Sequence, residues 1–320
     1  MILEFSGFIR RNYSYIIIAT LLVSVVVGFY TAKPGKVLKA YSTLFVVLMI
    51  ASMGFTITVR SLLLALKDVR GFSLGMALNF VLSPILCYAI SRLIPNPEVA
   101  AGIILIGVIP CAGMAIVWAG LLKGDVPLAV VINTGTMIAA PFLIPILMLY
   151  LAGGYVKINA LRMFLNLVYT ILIPVLAGIG LRELFERRRD VKKYLPVCPA
   201  ISSLCAVFLM FIAVNTSMPI LLRNLALLPS LLISVIIIFP VMFGFAYLIT
   251  RSMPYSKTVA ITYSSGMKNL PIGLGIAIIS FGILTALPIA VGFAFQMLTA
   301  VGFYRYFGRM EKVFAVTGGG

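Results

Sequence analysis

Two short stretches hold the side chains best placed for chemistry. Residues 264–271 read SSGMKNLP and residues 107–114 read GVIPCAGM, both inside long apolar runs. Lys268 offers a fixed cation or a titrating amine, and Cys111 offers a soft sulfur ligand or a nucleophile. Ser264 and Lys268 stand four apart, the spacing of a Ser–Lys dyad on one helix face. Gly266 between them makes that helix unreliable, so a hydrolase is not expected. The chain has no histidine, which excludes a His-based metal site, triad or proton shuttle. Its eight acids are Glu4, Asp68, Glu98, Asp125, Glu183, Glu186, Asp190 and Glu311, all in tails, loops or helix ends. The four cysteines, Cys87, Cys111, Cys198 and Cys205, form no CxxC pair, so neither a disulfide framework nor a zinc site is read. No catalytic residue, no metal and no cofactor are expected.

The elements that must carry these groups are membrane helices. Of the 320 residues 62% are hydrophobic and 10% charged, against roughly a quarter charged in a soluble domain. The formal charge of +17 comes from 25 Lys and Arg against 8 acids. In such a chain it reads as basic loops on an anionic membrane face rather than nucleic-acid binding. At about 20 apolar residues per span, ten spans are expected: 13–32, 41–59, 72–94, 99–122, 126–151, 161–182, 195–215, 224–250, 257–280 and 283–304. The N-terminus has its charges just ahead of an apolar span and no convincing cleavage site, so a retained first helix is expected.

Ten spans put both termini and the loops after even-numbered spans on one side, which carries 17 of the placed basic residues against seven opposite. That side is expected to be cytoplasmic, in a multi-pass protein of the plasma membrane. Only Lys268 falls on neither side. The run RELFERRRDVKKYLP, 182–196, reads as a positive-inside loop. The expected division is 1–182 for the first five-helix repeat and the sixth helix, 183–194 for the basic loop, 195–308 for helices seven to ten, and 309–320 for a cytoplasmic tail.

Five spans per half is odd, so a duplicated second half would enter the membrane inverted. NFVLSPILCYAIS in the third span resembles IIIFPVMFGFAYLIT in the eighth, and the fourth span of each half is broken, at GVIPCAGM and at SSGMKNLP. Pro110 cannot continue the helical ladder and Gly113 permits a turn. If both helices break at one depth and cross, their half-helix N-termini face one cavity and favour an anion.

LFVVLMIASMGFTITVRSL (44–62), ALNFVLSPILCYAI (77–90), LLKGDVPLAVVINTGTMIAAPFLIP (121–145), IPVLAGIGLRE (173–183) and SSGMKNLPIGLGIA (264–277) resemble the bile acid:sodium symporter superfamily. The resemblance is spread over nearly all ten spans. It implies panel and core domains, crossing helices four and nine, and carriage of organic anions such as bile acids, pantoate and keto acids by alternating access. It also implies departures. A Ser–Asn pair of the sodium-coupled relatives is here Ala115 and Ile116, and a following serine and threonine are Ala129 and Asn133. The motif Glu-Val-Gly-Met-Gln-Asn is here Ser264, Ser265, Gly266, Met267, Lys268 and Asn269. Without the carboxylate the first sodium site should not form, leaving Ser264, Asn133, Thr134 and Thr136 as neutral remnants. At the second site Lys268 stands where the relatives have glutamine. It is expected to substitute for the coupling cation, donating to Asn79, Ser264 or helix-end carbonyls. A permanently charged lysine would give an uncoupled carrier and a titrating one a proton-coupled carrier. The alternative is a lysine that snorkels or packs.

CAGMAIVW, residues 111–118, resembles the arsenite permease branch of the same superfamily. Cys111 there would be a soft ligand for As(III) or Sb(III). That branch also relies on a glutamate, at the position of Pro271 here. The expectation is an all-α integral membrane protein of ten helices in two inverted five-helix repeats, a secondary transporter of a small organic anion. Arsenite or antimonite efflux through Cys111 is the alternative. The substrate-binding residues expected are Pro110, Cys111, Gly113, Asn133, Thr134, Thr136, Gly266 and Asn269, with Lys268, Ser264 and Asn79 replacing the ion site. The partners expected are the bilayer, the anion and, in the titrating version, protons. No nucleic acid is expected, and the chain is expected as a monomer or weak dimer.

Overall fold

The computed structural model describes residues 2–59, 68–186, 195, 197–223 and 225–317. The basic segment 187–194, with Arg60 and Lys67, lies outside the described residues. The first helices are α1 (Ile2–Tyr30), α2 (Lys33–Lys39) and α3 (Ser42–Gly54). Next, α4 runs from Val69–Ala77 through a wider π-type turn, Leu78–Leu82, into Ser83–Ser91. Then come α5 (Pro97–Val108), α6 (Met114–Leu121) and α7 (Val126–Ala152). Helix α8 joins Ala160–Leu167 to Ile173–Glu186 through a second π-type turn, Val168–Leu172. The remainder are α9 (Val197–Arg223), α10 (Leu227–Thr250), α11 (Tyr255–Gly266), α12 (Leu270–Ser280) and α13 (Ile283–Thr317).

Among the described residues six helices are long and apolar enough to cross a bilayer: α4, α7, α8, α9, α10 and α13. A seventh span results if Tyr15–Tyr30 and Lys33–Lys39, bent by 115°, are taken together. The chain is a multi-pass membrane protein. Helix length and composition do not by themselves return ten spans among the described residues, for identifiable reasons. With 13 residues, α3 is only about 20 Å long, and the fourth and ninth expected spans are each two helices, α5 with α6 and α11 with α12. The last expected span extends as α13 to Thr317, through most of the segment expected as a tail.

Where helices start, the sequence supplies the cap. Asp68, Asn96, Asp125 and Asn159 each accept a hydrogen bond from the main-chain N–H three residues on, at 2.9–3.1 Å. Pro97 and Pro127 follow two of these caps inside the first turn, where a missing N–H costs nothing. Lys257 of α11 reaches Asp68 at 2.7 Å, and that hydrogen bond holds the Asp68 carboxyl below the usual carboxylate range.

The helices pack in two groups. One joins α1, α2, α3, α8 and α9; the other joins α4 to α7 with α10 to α13. They meet where α9 touches α12 and α13, where α3 touches α12, and where α7 touches α8. At the first contact Ser217 Oγ donates to Ile283 O at 3.3 Å. Asn215 pins the α1–α2 bend to α9, accepting from Gly35 N at 2.9 Å and donating to Thr31 O at 3.1 Å.

Candidate functional site

Two prolines build the site before any charge enters it. In the π-type turn of α4 the Ser83 N–H bonds to Leu78 O rather than to Asn79 O. The next residue is Pro84, which has no N–H. Asn79 O is therefore left without a helical donor. At the end of α5, Pro110 biases the residue before it towards extended backbone. Ile109 is extended, with φ −69° and ψ 154°, so its carbonyl also leaves the ladder. Two buried main-chain oxygens thus need a donor, and leaving such groups unpaired costs about 1–3 kcal/mol each.

Lys268 supplies it. Its Nζ donates to Asn79 O at 3.1 Å, to Asn79 Oδ1 at 3.0 Å and to Ile109 O at 3.3 Å. The side chain is fully buried. An ammonium has three N–H donors and here meets three oxygens. Asn79 cannot turn its amide around, because Nδ2 already donates to Gly75 O at 2.9 Å and to Ser264 O at 3.0 Å. Among the described residues the other buried formal charge is Arg182, one turn from the end of α8.

The two breaks meet face to face. Residues around Cys111 and Lys268 form an antiparallel bridge, in which Ala112 N donates to Met267 O at 2.9 Å and Asn269 N to Pro110 O at 2.8 Å. The outward main-chain groups of each bridge residue are taken by the next long helix. Thr136 Oγ1 accepts from Cys111 N at 3.1 Å and Asn133 Nδ2 donates to Cys111 O at 2.9 Å, both from α7. Gln296 of α13 does both tasks for Lys268, accepting from its N–H at 2.8 Å and donating to its carbonyl at 3.1 Å. Sequence reasoning missed Gln296. Its signal was available, since it is the only glutamine in the chain and stands in an apolar helix.

A cavity of about 390 Å³ opens between the two helix groups. The starts of α6 and α12 border it through Gly113, Met114, Asn269 and Pro271. Asn269 caps α12, accepting from Ile272 N at 3.4 Å. Both half-helices thus present the positive ends of their dipoles to the cavity. Other polar lining groups are Thr56, Asn133, Thr134, Ser202, Ser203 and Gln296. Lys268 also borders it, and the rest is apolar and rich in methionine, which adapts to ligand shape. No acidic side chain lines it.

Of the residues expected to bind substrate, Gly113, Asn133, Thr134 and Asn269 border this cavity, whereas Pro110, Cys111, Thr136 and Gly266 do not. Pro110, Cys111 and Thr136 serve the crossing itself. Gly266 lies against the Phe243 ring, where no Cβ would fit. Cys111 is fully buried, and its thiol donates to Ala112 O at 3.4 Å. Lys268 borders the cavity, yet none of its three ammonium acceptors does. Ser264 contributes its carbonyl to Asn79, while its buried hydroxyl finds no hydrogen-bond partner.

The sequence pattern of the Sodium Bile acid symporter family matches residues 43–224. Over 91% of this chain and 90% of its own length, the "Uncharacterized sodium-dependent transporter YocS" of Bacillus subtilis (strain 168) is 24% identical. The "Probable sodium/metabolite cotransporter BASS1, chloroplastic" of Arabidopsis thaliana is 29% identical over 75% of this chain and 59% of its own length. The "Arsenical-resistance protein Acr3" of Corynebacterium glutamicum is 26% identical over 72% of this chain and 70% of its own length.

Proposed function

Starting from a chain that belongs to the Sodium Bile acid symporter family, we propose a sodium-independent secondary transporter of a small organic anion, with Lys268 as its built-in cation. The observation that carries this is the ammonium held by three oxygens at the crossing of two broken helices. A sodium ion needs several hard oxygen ligands, and here Asn79 O, Asn79 Oδ1 and Ile109 O are already committed to a fixed positive charge. That charge also repels a second cation.

The ten-span, inverted-repeat reading rests on the crossing. The fourth segment of each half breaks, the breaks pair antiparallel, and the fifth segment of each half brackets the main chain of the crossing residue. The packing groups fit a panel of α1, α2, α3, α8 and α9 and a core of the rest. The cavity lies towards the end of α3 and the beginning of α9, through Thr56 and Pro199. The opposite end is closed by the Ser217–Ile283 contact. With the basic loops cytoplasmic, this is an inward-facing state. The anion's charged group sits at the starts of α6 and α12, and its apolar body lies against the methionine-rich wall. Bile-acid, pantoate and keto-acid types fit that division.

The test is uptake by proteoliposomes of taurocholate, pantoate and pyruvate, with sodium or with choline. Uptake survives removal of sodium and changes in Lys268→Gln; strict sodium dependence would contradict the proposal. A second reading, arsenite or antimonite efflux through Cys111, is favoured by the likeness to Acr3. It requires the buried thiol to reach the cavity, and loss of arsenite transport in Cys111→Ser would establish it.

A further inference from the structure

We propose that Lys268 keeps its proton throughout the transport cycle, so that the protein carries its anion uncoupled and electrogenically, with neither sodium nor protons. This rests on the transporter reading above and adds the mode of transport.

The geometry argues for a permanent ammonium. Each of its three N–H groups has its own acceptor, and all three acceptors are otherwise unpaired: Asn79 O because Pro84 cannot donate to it, Ile109 O because Pro110 ended its helix, and Asn79 Oδ1 because Nδ2 is locked on two carbonyls. A neutral amine has two N–H groups. It would leave one oxygen without a donor and turn its lone pair towards oxygen lone pairs. The amide donors at the crossing, Asn133 and Gln296, are committed to main-chain oxygens, and the buried Ser264 and Ser265 hydroxyls bond to none of the three oxygens.

No group stands ready to take the proton. The titratable side chains facing Lys268 are Cys87 of α4 and Cys111 of the bridge, both fully buried. The polar side chains around it from α7, α11 and α13 are neutral: Asn133, Thr136, Ser264, Ser265 and Gln296. The chain has no histidine, and the residues whose oxygens hold the ammonium, Asn79 and Ile109, do not line the cavity.

The charge balance follows. A lysine fixed in the core moves with it and returns with it, so it adds nothing to the net charge of a complete cycle. A monovalent anion carried alone moves one negative charge. The loaded core, lysine plus anion, is close to neutral, whereas the empty core carries the lysine's charge through the membrane field. A proton symporter with one proton per anion would instead be electroneutral.

Two measurements on the wild-type protein test this. In the first, proteoliposomes with valinomycin are given potassium about fifty-fold higher outside. The inside-positive potential then drives a monovalent anion carried alone to about fifty-fold accumulation. Taurocholate, pantoate and pyruvate are the probes, and a pH gradient at zero potential is the control. Accumulation that follows potassium and ignores the pH gradient is expected. Accumulation that follows the pH gradient and ignores potassium overturns the proposal while leaving the transporter reading intact.

The second measurement needs no substrate. Protein on a solid-supported membrane should show a transient charge movement of the empty core, equal in size at acid and alkaline pH within the range of stable folding. A charge movement that disappears at alkaline pH overturns the proposal. If no probe is taken up but a pH-independent charge movement persists, the fixed lysine is supported and the anion classes proposed above are wrong.

Discussion

The two crossing residues, Cys111 and Lys268, share a main-chain plan and differ in what their side chains do. Each sits where a membrane helix breaks, each pairs with the other, and each has its remaining N–H and C=O taken by side chains of the following long helix. At the first break the side chain is a thiol with one weak bond to its neighbour's carbonyl. At the second it is an ammonium that closes the oxygen vacancies of both α4 and α5. The two breaks thus share one main-chain arrangement, and the buried ammonium stands on one side of it. In physical terms, prolines made the vacancies and the lysine filled them.

The comparison can be broken most severely at Lys268. Lys268→Met should leave three buried oxygens without a donor and cost roughly 3–5 kcal/mol, read as a large fall in melting temperature in detergent. Lys268→Gln should be milder and should gain a stabilisation by sodium over choline that the wild type lacks. Equal melting of Lys268→Met and wild type would mean that the ammonium fills no vacancy.

Next comes the bracket. Gln296→Leu removes the acceptor of the Lys268 N–H and one of two donors to its carbonyl, Leu270 N at 2.9 Å being the other, and should cost about 1–3 kcal/mol. Asn133→Val strips only the donor to Cys111 O and should cost about 1–2 kcal/mol. The order of the two melting temperatures is the check, and a reversed order would show the two brackets to be unlike. Cys111→Ala should change stability by at most about 1 kcal/mol and leave anion uptake as it was. A large loss of uptake would put the thiol in the transport path.

The smallest effect is expected at the exposed end of the core. The Asp68–Lys257 pair contributes about 0.2–1 kcal/mol at low salt. Because the Asp68 carboxyl is held below its ordinary range, the contribution is present above the free carboxylate value of about 4. It is lost as pH falls through the folded value. Urea unfolding of wild type and Lys257→Met should differ at neutral pH and converge in acid.

Much of this was legible in residue types. Pro110 and Pro271 with their glycine and asparagine neighbours marked the breaks, and an unplaced lysine beside them marked the cation. Asn79 and the helix-end carbonyls were legible as its acceptors once helices three, four and nine were assumed to meet. The rest depends on contacts between residues far apart in sequence. Gln296 is 28 residues from the main-chain atoms it holds, and no local pattern shows that it turns to the bridge rather than to lipid. The π-type turn before Pro84 arises because a helix interrupted there can widen by one residue, which periodicity does not distinguish from an ordinary kink. The burial of Cys111 behind the cavity wall likewise depends on which way the crossing chains face. Helix length alone does not return the segments counted from the sequence, because α3 and the half-helices are shorter than the apolar runs that contain them.

The most direct test of the central claim is an experimental density map of the protein prepared in sodium. The account predicts the Lys268 ammonium within hydrogen-bond distance of Asn79 O, Asn79 Oδ1 and Ile109 O, with no metal ion beside them. A sodium ion on those oxygens, with Lys268 swung out towards lipid, would contradict it.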